Sequence, residues 1–147
     1  MAVITIADLI ALDFGYLTGA DLIQWCPGQL LIHQYTVDNN SLGNGCDFAY
    51  SEMIASLGNR YDINTELTTK TGTARARLSV KICALLAIEN ALGNAQNISE
   101  KMRDDFNYAH KCLMLIRQGE MNLPITYATV PVASDSGLIC QSFGTIG

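Results

Sequence analysis

Charge is scarce in this 147-residue chain, where Asp, Glu, Lys and Arg together make up only 16% of the residues. So sparse a supply excludes a solvated disordered polyelectrolyte, which needs high net charge and few apolar groups. Basic residues are the scarcer sign, nine against fourteen acids, and the formal net charge is −5. A chain of that sign is repelled by phosphate backbones and anionic lipid, which argues against general binding to nucleic acid or membrane surfaces. Histidine is rarer still. His33 and His110 are the only imidazoles, and neither has a second histidine or a paired acid in a clear metal-ligand arrangement three or four residues away.

Other absences narrow the field. The sequence contains no G-x-x-x-x-G-K-[ST] loop, no G-x-S-x-G elbow, no H-E-x-x-H pair and no dinucleotide glycine fingerprint. Its five cysteines, Cys26, Cys46, Cys83, Cys112 and Cys140, are odd in number and form no C-x-x-C pair. They read as free thiols in a reducing cytoplasm, with Cys83 and Cys112 serving as small buried hydrophobes inside helical patterns. No apolar stretch reaches the roughly 18 residues of a membrane span. The N-terminus has no basic residue ahead of its first apolar ones and carries Asp8 and Asp13 early, unlike a secretory signal. We expect a soluble chain with no catalytic site, no cofactor and no metal.

What the chain has is apolar surface, 49% of its residues. A single domain of this length buries roughly 70% of the surface its unfolded chain exposes. Thr5-Ile6-Ala7-Asp8 has the form of a capping box and predicts a short helix over 6–13 that ends near Gly15. Thr18-Gly19-Ala20-Asp21 repeats the signal, and Pro27-Gly28 breaks the second short helix. Residues 30–35 fit a strand or a turn of helix equally. The polar run 38–45 reads as a loop ending in Asn44 as a cap. Tyr50, Met53, Ile54, Leu57 and Tyr61 then recur at helical spacing and predict a helix over 46–60.

A polar, threonine-rich connection over 62–71 leads to a helix predicted over 73–92. That helix carries Leu78, Ile82, Leu85 and Leu92 on one side and Ala76, Val80, Cys83, Ala87 and Ala91 on another. Apolar on two sides, it should be the central helix of a bundle. Met102, Phe106, Ala109, Leu113 and Ile116 then advance by 4, 3, 4 and 3 residues, an amphipathic helix with Ser99 as its cap and Gly119 just past its end. The Asn97-Ile98-Ser99 sequon is better explained by this capping role than by glycosylation. Asp104 and Asp105, about 100° apart on the helix, read as a solvated face. His110 falls at the polar edge, in a surface or capping role.

Past Met121 the only charged side chain is Asp135. Residues 125–127, 130–132 and 138–143 are extended in flavour, so 125–147 reads as an assembly arm. Its partner-binding candidates are Ile125, Tyr127, Val130, Val132, Leu138, Ile139 and Phe143. A second candidate site is the basic run Lys70, Arg75, Arg77 and Lys81. It reads either as a solvated edge paired with acids such as Glu66 or as a contact for an acidic neighbouring subunit or passing DNA. The fold class expected is mainly α: a small helical bundle over 1–124, with short N-terminal helices and an extended, partly β C-terminal arm over 125–147.

Three segments carry a likeness to a known family. Ser-Glu-Met-Ile-Ala-Ser-Leu-Gly-Asn-Arg-Tyr over 51–61 ends in the pair Arg60-Tyr61, the apolar helix follows, and the charged stretch 103–124 closes on Gly119 and Leu123-Pro124. Over 46–124 this order resembles the small head–tail connector (head-completion or adaptor) proteins of tailed bacteriophages. The opening Thr-x-x-Asp-Leu, here Thr5, Asp8 and Leu9, is also similar. The resemblance implies a structural subunit of the virion neck, forming a homo-oligomeric, commonly twelve-fold ring. Its partners would be the portal protein and further neck or tail proteins. It would be assembled in the bacterial host cytoplasm, with packaged DNA passing through the lumen unbound. Alternatives are a stopper or tail-terminator ring, a small helical DNA-binding regulator and, least favoured, a small helical enzyme.

Overall fold

The computed structural model describes residues 4–93 and 98–128. Among these described residues seven α-helices and one 3₁₀ turn follow in order: α1 (Ile6–Ile10), α2 (Gly19–Ile23), α3 (Gly28–Val37), α4 (Ser41–Leu57), α5 (Ile63–Thr69), the turn Gly72–Ala74, α6 (Arg77–Leu92) and α7 (Glu100–Gln118). The mainly helical reading holds. No helix among the described residues is long and apolar enough to cross a membrane.

α6 is the centre, with every residue from Ile82 to Ile88 buried together with Ser79, Ala91 and Leu92. α4 packs along one side of it and α7 along another. α7 buries Met102, Phe106, Ala109, Leu113 and Ile116, as its 4-3-4-3 spacing predicts, and adds Cys112. The Ser99 hydroxyl accepts from the Met102 N–H at 3.2 Å. Gly119 closes the helix at φ 84°, a left-handed conformation that a side chain would strain.

The structure corrects three boundaries and adds one helix. The loop expected over 38–45 is in its second half the first turn of α4, which starts at Ser41 rather than Cys46. Gly43-Asn44-Gly45 looks like loop composition, but Gly45 serves the packing. A Cβ there would come within 2.5 Å of the Ala87 carbonyl oxygen on α6, so glycine lets two helix backbones touch. The buried stripe of α4 is accordingly Leu42, Cys46, Ala49, Met53 and Leu57, while Ile54 is exposed.

The threonine-rich connection after Tyr61 contains α5, which Asp62 caps through the Thr65 N–H at 3.3 Å. Ile63 and Leu67 of α5 are buried in the core. The helix expected over 73–92 begins at Arg77, because Gly72–Ala74 forms a separate 3₁₀ turn and Arg75 and Ala76 are extended. The segment left open at 30–35 is helical, within α3. In the first capping box the Thr5 hydroxyl accepts from the Asp8 N–H and the Asp8 carboxylate accepts from the Thr5 N–H, each at 3.1 Å. α1 nevertheless stops at Ile10, short of the expected 13.

Candidate functional site

Two places collect the residues that the sequence singled out. The first is an open groove of about 940 Å³ where α2 meets the start of α6, lined by polar Gln24 and Thr73, apolar Trp25, Leu78 and Val80, and the cations Arg75, Arg77 and Lys81. Three members of the predicted basic run therefore share one surface, and Lys70 is exposed outside it.

The three cations are not equivalent. Arg75 grips Asp21 through both terminal guanidinium nitrogens and also donates to the Tyr16 carbonyl oxygen at 2.7 Å. Burial would raise the Asp21 pKa, but the hydrogen bonds from Arg75 and Thr18 outweigh it and hold the carboxyl below its usual value. Asp21 in turn holds the guanidinium charge in place. Lys81 lies between two aromatic rings, its Nζ 4.8 Å from the centre of the Trp25 ring and 4.4 Å from that of Tyr108. Such stacking orients a cation without neutralising it. Arg77 is exposed, with no ion-pair partner among the described residues.

The expected pairing of this run with Glu66 does not occur. Glu66 is buried beneath the groove, where one of its carboxylate oxygens accepts from the Tyr16 hydroxyl at 2.6 Å and from the Ala76 N–H at 2.8 Å. The second contact holds the residue just before α6, whose capping position, Ala76, has no side chain to satisfy the helix end. Burial, then the bond to Glu66, pushes the Tyr16 hydroxyl pKa upward, so the phenol stays a donor. Nothing local in the sequence signals these ties, since Tyr16 and Glu66 stand 50 residues apart and Asp21 and Arg75 stand 54 apart. Asp21 was legible only as the acid of a capping box, a role it keeps by accepting from the Thr18 N–H at 2.8 Å.

The second place is the corner where the chain leaves α7. Arg60 donates to the Ile116 carbonyl at 2.7 Å, a second donor beside the Gly119 N–H at 3.1 Å, and to Asn122 Oδ1 at 3.1 Å, which ties it to the end of α7. The buried Tyr61 hydroxyl accepts from the Leu123 N–H at 3.0 Å. Beyond Pro124 the chain runs antiparallel to this segment. The Asp62 N–H donates to the Thr126 carbonyl at 2.8 Å, and the Ala128 N–H donates to the Arg60 carbonyl at 3.0 Å. The Tyr127 ring stacks on Tyr61 with centres 5.1 Å apart.

The arm predicted from residue 125 therefore begins against its own bundle. Ile125 is half-buried against the core and Tyr127, although 57% exposed, is held by Tyr61. Val130, Val132, Leu138, Ile139 and Phe143 lie outside the described residues.

The remaining candidates sit as follows. His110 is on the surface, its Nε2 2.6 Å from Glu89 Oε1. Asp105 pairs with Lys101 at 2.9 Å on the solvated side of α7, and Asp104 is exposed. Cys26, Cys46, Cys83 and Cys112 are free and buried. Burial pushes the Cys26 and Cys46 thiols up to about 12, which leaves them protonated and inert near neutrality. Comparison of the chain with models of known protein families, with curated proteins and with solved structures finds no match.

Proposed function

We propose that the chain is a structural subunit of a phage neck, a head–tail connector (adaptor) that forms a ring between portal and tail. The observation that carries this reading is the exit corner. Arg60-Tyr61 and the stretch Gly119 to Pro124, which are far apart in sequence and are the residues on which the connector resemblance rests, bond to one another. The shared pattern thus has a physical purpose, which is to set where the chain departs after Pro124. A defined exit suits a subunit that hands its C-terminal stretch, with Asp135 as its single charged side chain, to a neighbour, because a launch point fixed before docking lowers the ordering cost of assembly.

The arm in this reading extends from residue 129, and residues 125–128 act as its anchor. Its β-like composition suits strand addition to a neighbouring sheet. The competing reading as a DNA-binding regulator is weakened by Asp21, which neutralises Arg75, one of the four cations it depends on. In a phage lacking this protein, electron microscopy of lysates should show filled heads and free tails that have not joined. Complete virions in normal number would contradict the proposal.

A further inference from the structure

We propose that the groove between α2 and α6 receives the outer face of α4 from a second copy of this chain, in a head-to-tail contact. This inference rests on the ring reading above and names the surfaces that would meet within it.

The groove is an island of positive charge on an acidic molecule. Three of the chain's nine basic residues line it, against a single acid, Asp21, which is already bonded to Arg75. Arg77 and Lys81 are left to face an incoming group, beside the partly exposed apolar side chains of Trp25, Leu78 and Val80. An occupant matching this surface offers a carboxylate flanked by apolar groups.

The outer face of α4 has that chemistry. α4 contains two acids, Asp47 and Glu52, and no Lys or Arg. At about 100° per residue, positions 44, 47, 48, 51, 54 and 55 fall within about 120° of one another on the helix. All six are exposed. Phe48 and Ile54 keep 45% and 43% of their surface open to solvent on either side of Asp47 and Ser51. Large exposed apolar side chains on a helix bearing only negative charge fit the helix-in-groove mode of recognition, with Asp47 directed to Arg77 and Lys81.

The two surfaces share no residue. α4 turns its buried stripe toward α6, and its outer face points the opposite way. Each chain can therefore use its groove and its α4 face at the same time, which is the requirement for a heterologous contact that closes into a ring.

The test uses the full chain in sedimentation velocity and native mass spectrometry, from micromolar to millimolar concentration. The wild-type protein should associate beyond the dimer. Arg77→Glu and Asp47→Lys, both at exposed positions, should keep the wild-type melt while each weakens association about tenfold or more through like-charge contact. Placing both substitutions on one chain should restore association, because the charges are exchanged across the same contact. Mixing the two single variants should likewise restore association beyond the dimer, in alternating copies, since the intact α4 face of one meets the intact groove of the other and the exchanged Lys–Glu pair meets at the next contact.

A wild-type chain that stays monomeric throughout, a symmetric dimer that both variants leave intact, or a double variant no better than the singles would overturn the inference. So would duplex DNA binding through Arg77 in place of self-association. A failure of this kind leaves the connector reading standing if heads and tails still fail to join without the protein. Normal virions in its absence would remove that reading, whatever the chain does in solution.

Discussion

α7 and the N-terminal third of the molecule are held by different physics. α7 is a 19-residue helix with one apolar stripe, a hydroxyl cap at Ser99 and a glycine stop, so its stability follows from residues close together in sequence. α1 and α2 have only five residues each, too short to persist alone. Polar ties fasten this region to the centre. The Tyr50 hydroxyl on α4 accepts from the Leu17 N–H at 3.0 Å and donates to the Phe14 carbonyl at 2.6 Å. Glu66 holds Tyr16, and Arg75 holds Asp21. The difference teaches that short helices need fixed points supplied from elsewhere, and that a buried acid or phenol can supply them where an apolar stripe is too small.

The largest effect should come from the apolar side of the comparison. Leu113→Asp puts a carboxylate into the middle of the α7 stripe, and burying an unpaired charge costs several kcal/mol, comparable with a domain's total of about 5–15 kcal/mol. Circular dichroism should show loss of the cooperative melt. An unchanged melt would mean that α7 presents another face to the core.

Next comes the polar side. Glu66→Ala strips partners from the Tyr16 hydroxyl and the Ala76 N–H, both beneath the groove, and should lower stability by about 2–4 kcal/mol. Hydrogen exchange should quicken first in α1 and α2 while α7 keeps its protection. Equal quickening in both regions would mean that the same contacts hold them.

A smaller change is expected where the two halves of the connector pattern meet. Tyr61→Phe removes only the acceptor for the buried Leu123 N–H and should cost about 1–3 kcal/mol. The loss should appear as faster exchange in residues 119–128, with the helices unaffected.

The gentlest probe is pH. The Asp21 carboxyl has a folded pKa below its usual 3.8, so in acid the unfolded chain takes up its proton first. The stabilisation is complete above that value and is lost as the pH falls through it toward the folded pKa. Cys26 and Cys46 act in the opposite direction. Their folded values near 12 exceed the usual 9.0, so their contribution is complete below pH 9 and is lost as the pH rises toward 12. Melts of Asp21→Asn should lose the share of the acid-side dependence that Asp21 carries, leaving that of Asp8, whose carboxyl its hydrogen bonds with Thr5 also hold below the usual value, and should keep the alkaline dependence.

How much of this was legible in the sequence follows the same division. The α7 stripe and both its caps, the central position of α6 and the Thr5 box could all be read, because each depends on neighbours within a turn or two. The helix of α4 is legible but its start is not, since glycines at 43 and 45 look like a loop until Ala87 is seen against Gly45. α5 was hidden by threonines, which favour capping and turns but here use their hydroxyls on carbonyls one turn back, Thr68 on Asn64 and Thr69 on Thr65. The basic run was found as a cluster. The division of labour inside it, with Arg75 tied down, Lys81 between rings and Arg77 open, depends on Asp21, Trp25 and Tyr108, which the fold brings from two other places in the chain.

The reading of this protein as a connector is tested most directly by locating it in the particle. Cryo-electron microscopy of intact virions at the junction of head and tail should show copies of this helical bundle in a cyclic array between portal and tail. In that array the α4 face of each copy should be seated on the α2–α6 groove of the next. Density for the bundle elsewhere in the particle, or a complete neck with no place for it, would contradict the account.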